Sequence, residues 1–309
     1  MRKTITFLLV LALLAPAMAF ASGEQEGGGE AEDEGVTIGM SVPGLQFPFF
    51  VTMRDDAQEA AEELGVELLF ADAQNDSAKQ ASDLESFISR GVDGILISPM
   101  TVDSMVPAIE SAVDQGIPVA TIDRRANTDA VLVHVGADNV EGGRAAARYI
   151  IDELGGSGRV IELEGTPGSS AAIDRKEGFD EVMADSDVEI IASQPADFNR
   201  AEAQTVMENL IQSNPDFDAV FGANDEMIIG AIEAMRGAGV DVESKVTVGF
   251  DATPDAFEYI DDGLLDVTID QFPGRQASQA MEYLVDYIEN GTEPDQDVYS
   301  IKPEPVSSP

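Results

Sequence analysis

The chain of 309 residues contains no cysteine and a single histidine, His134. Without cysteine there can be no disulfide bond, no thiolate metal ligand and no cysteine nucleophile. With one histidine, the chain lacks parts that hydrolase triads and zinc sites normally use. His134 lies in an apolar run, so we expect a strand residue rather than a general base. The Gly-x-Ser-x-Gly motif and phosphate-binding glycine loops are also missing, and together these absences predict a protein without a metal site, cofactor or covalent catalytic chemistry.

Basic residues are scarce as well. The chain has 17 lysines and arginines against 59 acidic residues, for a formal net charge of -42. Residues 36–309 alone carry 53 acidic and 15 basic residues, a net charge of about -38. Such a surface repels nucleic acid phosphates and anionic lipid headgroups, so neither a nucleic-acid partner nor a membrane-surface role is expected. A saline environment would explain the charge, and the ordinary acidity of a secreted protein is the alternative.

The N-terminus has the pattern of a secretory signal peptide. Arg2 and Lys3 precede an apolar stretch from Phe7 to Leu14, and small residues with Ala-x-Ala spacing follow. We expect residues 1–22 to be a signal peptide and residues 23–35, mostly glycine and glutamate, to be a disordered acidic tether. A membrane anchor is the weaker interpretation, because the apolar stretch is too short to span about 30 Å of hydrocarbon.

Short apolar runs alternate with amphipathic stretches along the rest of the chain. Strands are predicted at 36–42, 67–70, 94–98, 118–123 and 131–135, with helical patterns between the first four. The alternation restarts at residue 142 and continues to residue 290. A β-α-β-α order predicts parallel sheets covered by helices on both faces. The predicted fold class is therefore α/β, with two doubly wound parallel-sheet lobes.

Polar residues follow the predicted strands at the points where the strands end. They occur as Asp123-Arg124, Asn224-Asp225, Asp251 and Asp270-Gln271. Open α/β sheets bind ligands at the carboxyl ends of their strands. The pattern therefore predicts a site for a small polar molecule.

The carboxylates in this set allow one enzymatic alternative. Asp123, Asp251 and Asp270 could act as general acid and base on a glycosidic bond. Each, however, has a basic or amide neighbour, and carboxylates beside guanidinium groups are suited to binding sugar hydroxyls. Binding is therefore favoured over catalysis. The neighbours are Arg124, Arg175, Asn224 and Gln271.

Five short motifs stand out along the chain: Phe47-Pro48-Phe49-Phe50, Thr121-Ile122-Asp123-Arg124, Gln194-Pro195-Ala196-Asp197-Phe198, Asn224-Asp225-Glu226-Met227 and Val248-Gly249-Phe250-Asp251. They resemble the motifs of a known family, the bacterial periplasmic ribose-binding proteins. The resemblance covers nearly the whole chain from about Val36. It implies a type I periplasmic binding protein, in which two α/β lobes are joined by a multi-strand hinge and the ligand lies between them. The N-terminal lobe would comprise residues 36–137 and 272–297, and the C-terminal lobe residues 138–271 and 298–309.

The resemblance also implies which residues bind the ligand. Two positions depart from the family, since Phe47 and Ser98 stand where the ribose-binding proteins have hydrogen-bonding asparagines. Gln46 is an amide that could replace a lost contact. These departures leave the sugar open among ribose, another pentose and a related hexose. The aromatic rings that sandwich a sugar match Phe49, Phe50 and Phe198, and the polar ring around its hydroxyls matches Asp123, Arg124, Arg175, Asn224, Asp251 and Gln271.

By resemblance, we expect the protein in the periplasm, where it captures a monosaccharide and delivers it to the permease of an ABC transporter without catalysing a reaction. A chemoreceptor is a further partner class, and a monomer is the expected state. Two alternatives stay open: a receptor for another small polyol or signalling sugar, and a glycosidase that uses the cleft carboxylates. A sugar-responsive repressor shares the fold, but the predicted signal peptide and tether occupy the place of its DNA-binding helices.

Overall fold

The structure, a computed structural model, describes residues 35–308. The predicted signal peptide at 1–22 and residues 23–34 of the predicted tether lie outside the described residues. The part of the chain from Gly35 onward forms one compact unit. None of the helices described is both long enough and apolar enough to cross a membrane.

The first sheet takes five of its strands from the N-terminal half of the chain. In the sheet these strands follow the order β5-β4-β3-β1-β2, and every pair is parallel. His134 lies in β5, which confirms its prediction as a strand residue. The elements are β1 (Thr37–Val42), α1 (Pro48–Leu64), β2 (Glu67–Asp72), α2 (Ser77–Arg90), β3 (Gly94–Ile97), α3 (Val106–Asp114), β4 (Val119–Ile122) and β5 (Val133–Ala137).

The second sheet is built by the next part of the chain. Its strands follow the order β7-β6-β8-β9 and are again all parallel. Beyond β9, backbone hydrogen bonds from Gly249 and Asp251 to Val267 and Ile269 attach β10 to this sheet. The elements are α4 (Asn139–Glu153), β6 (Ser157–Glu164), α5 (Ser170–Ala184), β7 (Asp187–Pro195), α6 (Arg200–Ser213), β8 (Ala219–Gly222), α7 (Asp225–Gly237), β9 (Val246–Val248), α8 (Pro254–Asp261) and β10 (Thr268–Asp270).

The chain then returns to the first sheet and crosses once more. Helix α9 (Pro273–Asn290) packs against α1 and against β3, β4 and β5. Strand β11 (Val298–Ile301) becomes the sixth strand of the first sheet beside β5, and β12 (Glu304–Val306) pairs antiparallel with β10. We call the first sheet with its helices the N-lobe and the second sheet with its helices the C-lobe. The predicted α/β class with two parallel-sheet lobes is confirmed.

The strand pairing places one segment differently from the predicted division of the chain. That division assigned residues 298–309 to the C-terminal lobe, but β11 lies in the N-lobe sheet, with Val298 opposite His134 and Ile301 opposite Ala137. The last crossing therefore comes after Ile301, where the chain leaves one sheet and reaches the other at Glu304. The other boundaries of the two lobes stay predictions.

Helices begin directly at the strand ends because polar side chains cap them there. Asn224 Oδ1 accepts a hydrogen bond from the backbone N–H of Met227 at 3.0 Å, which starts α7 immediately after β8. Thr253 Oγ1 accepts one from Ala256 at 3.3 Å at the start of α8, where Pro254 is the first helical residue. Such caps satisfy backbone donors that the first helical turn leaves without partners. They also fix where the residues between strand and helix point.

Helices α4 and α5 pack with their backbones in contact through two glycines. A Cβ atom on Gly178 would lie 1.9 Å from the carbonyl oxygen of Val140, and one on Gly143 would lie 2.0 Å from that of Arg175. Only glycine permits this approach, because a Cβ never comes so close to a backbone oxygen. The contact holds α5 in the position from which Arg175 Nε reaches Asn139 Oδ1 at 2.8 Å.

We predict that Gly178→Ala destabilises the protein by roughly 2 kcal/mol or more, because the helices must move apart. Gly237→Ala is the matched control, since Gly237 also lies in a helix but a Cβ there would meet no atom within 4 Å. Alanine has the higher helix propensity, so the control should be neutral or stabilised by roughly 0.5–1 kcal/mol. Urea unfolding followed by circular dichroism measures both values. Equal stability of the two variants would contradict the backbone contact.

Candidate functional site

A cavity of about 290 Å³ lies between the two lobes. Its lining includes ten of the eleven residues that the sequence predicted, together with Ala171. Residues 47–50 and 123–124 come from the N-lobe, residues 171–251 from the C-lobe, and Gln271 from the crossing between β10 and α9. The lining residues are Phe47, Phe49, Phe50, Asp123, Arg124, Ala171, Arg175, Phe198, Asn224, Asp251 and Gln271.

Most of the polar lining residues follow the carboxyl ends of parallel strands, as the sequence pattern predicted. Asp123 and Arg124 follow β4, Asn224 follows β8, and Asp251 comes shortly after β9. Parallel strands end at the same edge of a sheet, so residues far apart in sequence meet there. Gln271 directly follows β10, which lies beside the extension of β9.

Three lining residues hold a backbone conformation that side chains other than glycine rarely adopt. The φ angles are 57° at Asp123, 56° at Phe198 and 115° at Asp251. Each such residue costs on the order of 1–3 kcal/mol unless its surroundings fix it. Backbone hydrogen bonds do so here, from Asp123 N–H to Val135 O at 3.1 Å and from Asp251 N–H to Ile269 O at 2.8 Å. Strained backbone of this kind gathers at functional sites, which supports a binding role for the cavity.

Four phenylalanines form the apolar part of the lining. Phe49 and Phe47 each meet Phe50 edge to face, with ring centroids 5.2 Å and 6.2 Å apart, at the start of α1. Phe198 comes from the C-lobe, just before α6. A Cβ atom on Gly165 would lie only 2.0 Å from the Phe198 ring, so glycine at 165 makes room for it. Aromatic faces from both lobes therefore line one cavity.

Arg175 is held by contacts on several sides. Its Nε donates to Asn139 Oδ1 at 2.8 Å, and its Nη1 donates to the carbonyl oxygen of Ala223 at 2.7 Å. The same Nη1 lies 3.5 Å from Asp251 Oδ1. The guanidinium carbon lies 3.7 Å from the centroid of the Phe250 ring, a cation–π contact. These contacts, all with residues of the C-lobe, fix the guanidinium group in position.

Two buried polar atoms of the lining make no hydrogen bond with any described residue. They are Arg124 Nε, a donor, and Gln271 Oε1, an acceptor. The rest of each side chain is engaged: Arg124 Nη1 donates to Met100 O at 3.2 Å, and Gln271 Nε2 donates to Asp251 Oδ1 at 2.6 Å. Buried polar groups without partners are rare in folded proteins, because each costs roughly 1–3 kcal/mol. One donor and one acceptor are therefore available to a bound molecule.

Ser98 is the one predicted residue that does not line the cavity. It is fully buried, and its Oγ donates to Asp123 Oδ2 at 2.9 Å. Ser98 thus lies behind Asp123 and orients that carboxylate, and a ligand contact by Ser98 stays a prediction. Gln46, the suggested substitute for a lost amide, is exposed and also outside the lining.

The cavity contains two carboxylates and two guanidinium groups, so its formal charge is balanced. Asp123 Oδ2 lies 3.6 Å from Arg124 Nε, and Asp251 Oδ1 lies 3.5 Å from Arg175 Nη1. Burial raises the pKa of both carboxyls, and the neighbouring arginines oppose that rise. Burial likewise lowers the pKa of Arg124 and Arg175, against the pull of the carboxylates. Each charge is stabilised by its partner rather than by water.

Asp225 has a structural role that the sequence pattern did not separate from ligand binding. Its carboxylate accepts hydrogen bonds from Thr253 N–H at 2.8 Å, Thr253 Oγ1 at 3.0 Å and Thr268 Oγ1 at 2.6 Å. It therefore ties the start of α7 to the start of α8 and to β10, the elements beside Asn224, Asp251 and Gln271. Burial raises the pKa of Asp225 to about 7.

Metal binding finds no support in the part of the chain that the structure describes. Residues 35–308 contain no cluster of three or more histidine or carboxylate side chains placed to hold a metal ion. His134 forms a hydrogen bond between its Nδ1 and Thr121 Oγ1 at 3.0 Å. Burial lowers its pKa to about 4, so the imidazole is neutral at pH 7.

Comparison with known proteins identifies the family. Residues 38–293 match the family described as periplasmic binding protein domain. The chain belongs to this family. One relative is the ribose import binding protein RbsB of Bacillus subtilis (strain 168), which is 40% identical over 287 residues covering 91% of this chain and 93% of that protein.

Solved structures of similar proteins share the fold over most of their length. A galactofuranose binding protein has a TM-score of 0.84 and 31% identity, and the match covers 88% of this chain and 94% of that one. The Caulobacter myo-inositol binding protein, bound to myo-inositol, has a TM-score of 0.83 and 34% identity, with coverage of 88% and 93%. This periplasmic binding protein therefore has relatives whose names describe sugar and polyol ligands.

Two residues of this periplasmic binding protein that matter for the cavity were missed in the sequence. Asn139, which accepts a hydrogen bond from Arg175, is the second residue after the end of β5. It is a polar residue that follows a strand, so it could have been predicted by the same pattern as the other site residues. Ala171 lines the cavity from the first turn of α5. A small apolar residue in a helix carries no sequence signal of binding.

The raised pKa of Asp225 predicts how stability depends on pH. Its pKa is about 7 in the folded protein, against 3.8 for the free side chain. Between these values the folded state binds the extra proton, so this carboxyl's contribution to the free energy of unfolding falls as pH rises toward 7. Between pH 5 and pH 8 we expect the wild type to lose on the order of 2–3 kcal/mol relative to Asp225→Asn.

Urea unfolding at the two pH values measures this difference. Asp225→Asn has a constant offset from its altered hydrogen bonds, so only the change with pH is compared. Asp216→Asn is the control, because the Asp216 side chain is 86% exposed. The control should follow the wild type, and parallel curves for wild type and Asp225→Asn would contradict the assignment.

Proposed function

We propose that this protein captures a monosaccharide, ribose or a related pentose or hexose, in the cavity between its lobes and delivers it to an ABC transporter. The observation that carries the proposal is the composition of the cavity: aromatic rings from both lobes together with a ring of carboxylate, guanidinium and amide groups. The family match and the relatives named for ribose and galactofuranose support it.

The chemistry of the cavity suits a sugar because both kinds of surface on a sugar find a partner. The C–H faces of a sugar ring pack on phenyl rings, and its hydroxyls both donate and accept hydrogen bonds. A hydroxyl can accept from Arg124 Nε, and another can donate to Gln271 Oε1, the two buried atoms of the lining that make no hydrogen bond within residues 35–308. The bond to the charged Arg124 contributes roughly 1.5–3 kcal/mol, and the bond to the neutral amide of Gln271 roughly 0.5–1.5 kcal/mol.

Size and charge narrow the ligand further. The empty space among the lining residues, about 290 Å³ including the part that is open to solvent, suits a small molecule rather than a polymer. Its two carboxylates are balanced by two guanidinium groups, so a neutral ligand leaves no buried charge without a partner. A neutral monosaccharide meets both conditions.

The identity of the sugar depends on Phe47 and Ser98. Phe47 adds an apolar edge to the cavity, and Ser98 contacts Asp123 rather than the lining. With Phe47 and Ser98, the cavity offers fewer side-chain groups that can bind sugar hydroxyls than it would with asparagines at these positions. A related polyol is the second candidate ligand, because the Caulobacter relative with 34% identity is bound to myo-inositol.

Location and partners follow from the same proposal. The N-terminal pattern supports export, and we assign the protein to the periplasm, with the permease of an ABC transporter as its membrane partner. A chemoreceptor partner and a monomeric state are proposed by resemblance alone. The large negative charge, -42 in total, is compatible with a small neutral ligand and a protein partner.

A binding screen tests the function. We predict that one of D-ribose, D-allose, L-arabinose, D-galactose, myo-inositol and xylitol raises the melting temperature of the mature protein. At roughly 1,000-fold excess over Kd the stabilisation should be about 4 kcal/mol. Asp251→Ala should weaken binding of that compound at least about 100-fold in calorimetry, since it removes a charged partner and leaves Arg175 without its carboxylate.

Asp216→Ala is the control for this variant because it removes an exposed carboxylate far from the lining. It should bind with unchanged Kd. Unchanged binding by Asp251→Ala would contradict the assigned site, and no stabilisation by any of the six compounds would contradict the proposed function.

We also propose that the protein catalyses no reaction. Both carboxylates of the cavity lie within 3.6 Å of a guanidinium group. Asp270, the third candidate acid or base, accepts from Phe272 N–H at 2.8 Å and lines a neighbouring groove instead. With these partners the three carboxylates serve as hydrogen-bond acceptors and members of ion pairs, which is the role that binding of a ligand requires of them.

We predict no release of p-nitrophenol from p-nitrophenyl glycosides of pentoses and hexoses. The rate with the wild type should equal that with Asp251→Ala and with buffer. A rate that falls on substitution of Asp123 or Asp251 would establish the glycosidase alternative instead.

A further inference from the structure

A second set of contacts joins the lobes outside the cavity. Arg125 follows β4 in the N-lobe, and Asp174 lies in α5 of the C-lobe. The Arg125 guanidinium group forms a bidentate ion pair with the Asp174 carboxylate, in which Nη2 lies 2.8 Å from Oδ1. The backbone N–H of Arg125 donates to Ser170 Oγ at 3.0 Å. Nearby, Val102 N–H donates to Gly168 O at 3.0 Å. None of these residues lines the cavity.

The ion pair is the direct link between the lobes that involves charge. Of the salt bridges within residues 35–308, only Arg125–Asp174 connects the N-lobe to the C-lobe. The Asp174 side chain is 9% exposed and that of Arg125 is 49% exposed. A carboxylate buried to this degree needs a partner, and Arg125 provides one. Separation of the lobes breaks this ion pair and exposes Asp174 to water. The pair therefore favours the arrangement in which the lobes touch.

The position of the pair in the sequence couples it to the cavity. Arg125 directly follows Arg124, and Asp174 directly precedes Arg175. Arg124 and Arg175 line the cavity from opposite lobes. Closing the Arg125–Asp174 pair thus brings the two cavity guanidinium groups to their present separation.

We propose that Arg125 and Asp174 form a latch that holds the lobes together and raises the affinity of the cavity. The role in affinity depends on the proposed sugar binding, whereas the contact between the lobes does not. The latch acts by raising the fraction of the protein in which the lobes are closed. The observed Kd equals the Kd of the closed form divided by that fraction, so a smaller closed fraction gives a higher Kd. A partly exposed two-pronged pair is worth about a kilocalorie per mole, which is roughly a 3- to 10-fold change in Kd.

The absence of cysteine allows a direct measurement of the lobe separation. Glu85 in α2 and Glu208 in α6 are exposed residues of opposite lobes. Spin labels on Glu85→Cys and Glu208→Cys report the distance between the lobes without a background thiol. The distance distribution is recorded without ligand in the otherwise wild-type sequence, in Arg125→Gln, in Asp174→Asn and in the exchanged pair Arg125→Asp with Asp174→Arg.

Arg144→Gln is the matched control. Arg144 forms an ion pair with Glu181 of α5 at 2.7 Å, so it also contacts this helix, but both residues belong to the C-lobe. We expect longer or broader distances in both single latch variants, recovery in the exchanged pair and no change in the control. Titration with D-ribose should show Kd raised roughly 3- to 10-fold in the single variants and recovered by the exchange.

The outcomes separate the latch from the proposed function. Unchanged distances and unchanged Kd in the single variants overturn the latch while sugar binding stands. Changed distances in a protein that does not bind D-ribose support the latch as a lobe contact and count against ribose as the ligand. Distances that change equally in Arg144→Gln show a general effect of lost charge and overturn the latch.

Discussion

Four charged groups are buried together between the lobes, and the surrounding structure keeps each of them partnered. Asp123 and Arg124 come from the N-lobe, and Arg175 and Asp251 come from the C-lobe. An isolated charge buried in this way would be unstable, which explains the dense contacts around each. Asn139 and Ala223 fix Arg175, Ser98 fixes Asp123, and Gln271 fixes Asp251. A ring of this kind needs little rearrangement when hydroxyl groups enter, and preorganisation of this sort lowers the cost of binding.

The surrounding structure holds the four charged groups in place at the cost of local backbone strain and close contacts. Asp123, Phe198 and Asp251 keep positive φ angles because strand hydrogen bonds or neighbouring side chains leave no alternative. The glycines between α4 and α5 allow two helices to touch through their backbones, and α5 carries Arg175. Backbone packing between two helices therefore determines where a cavity side chain lies. Stability and binding are linked through the same helices.

Much of the fold and the cavity followed from the sequence, for reasons that particular residues make clear. Asp123, Asn224 and Asp251 were predictable because each follows a short apolar run, and parallel strands bring such positions to one edge. The phenylalanines could not be assigned to the cavity in this way, because an apolar residue in a sequence can line a cavity or lie in the core. They were assigned to the cavity by the resemblance to the family. Ser98 lies one layer deeper than expected because its hydroxyl reaches Asp123. The pairing of Val298 with His134 links residues 164 positions apart, a register that local patterns cannot predict.

Strands β11 and β12 have a consequence for the order in which the chain can fold. Strand β11 completes the first sheet, and β12 pairs with β10 at the second, so both lobes depend on residues 298–306. During synthesis the first sheet lacks its sixth strand, and β10 lacks its antiparallel partner, until this segment has emerged. A pairing as distant in sequence as that of β11 with β5 forms slowly. The native pairings of this chain are therefore complete only once residues 298–306 have been made.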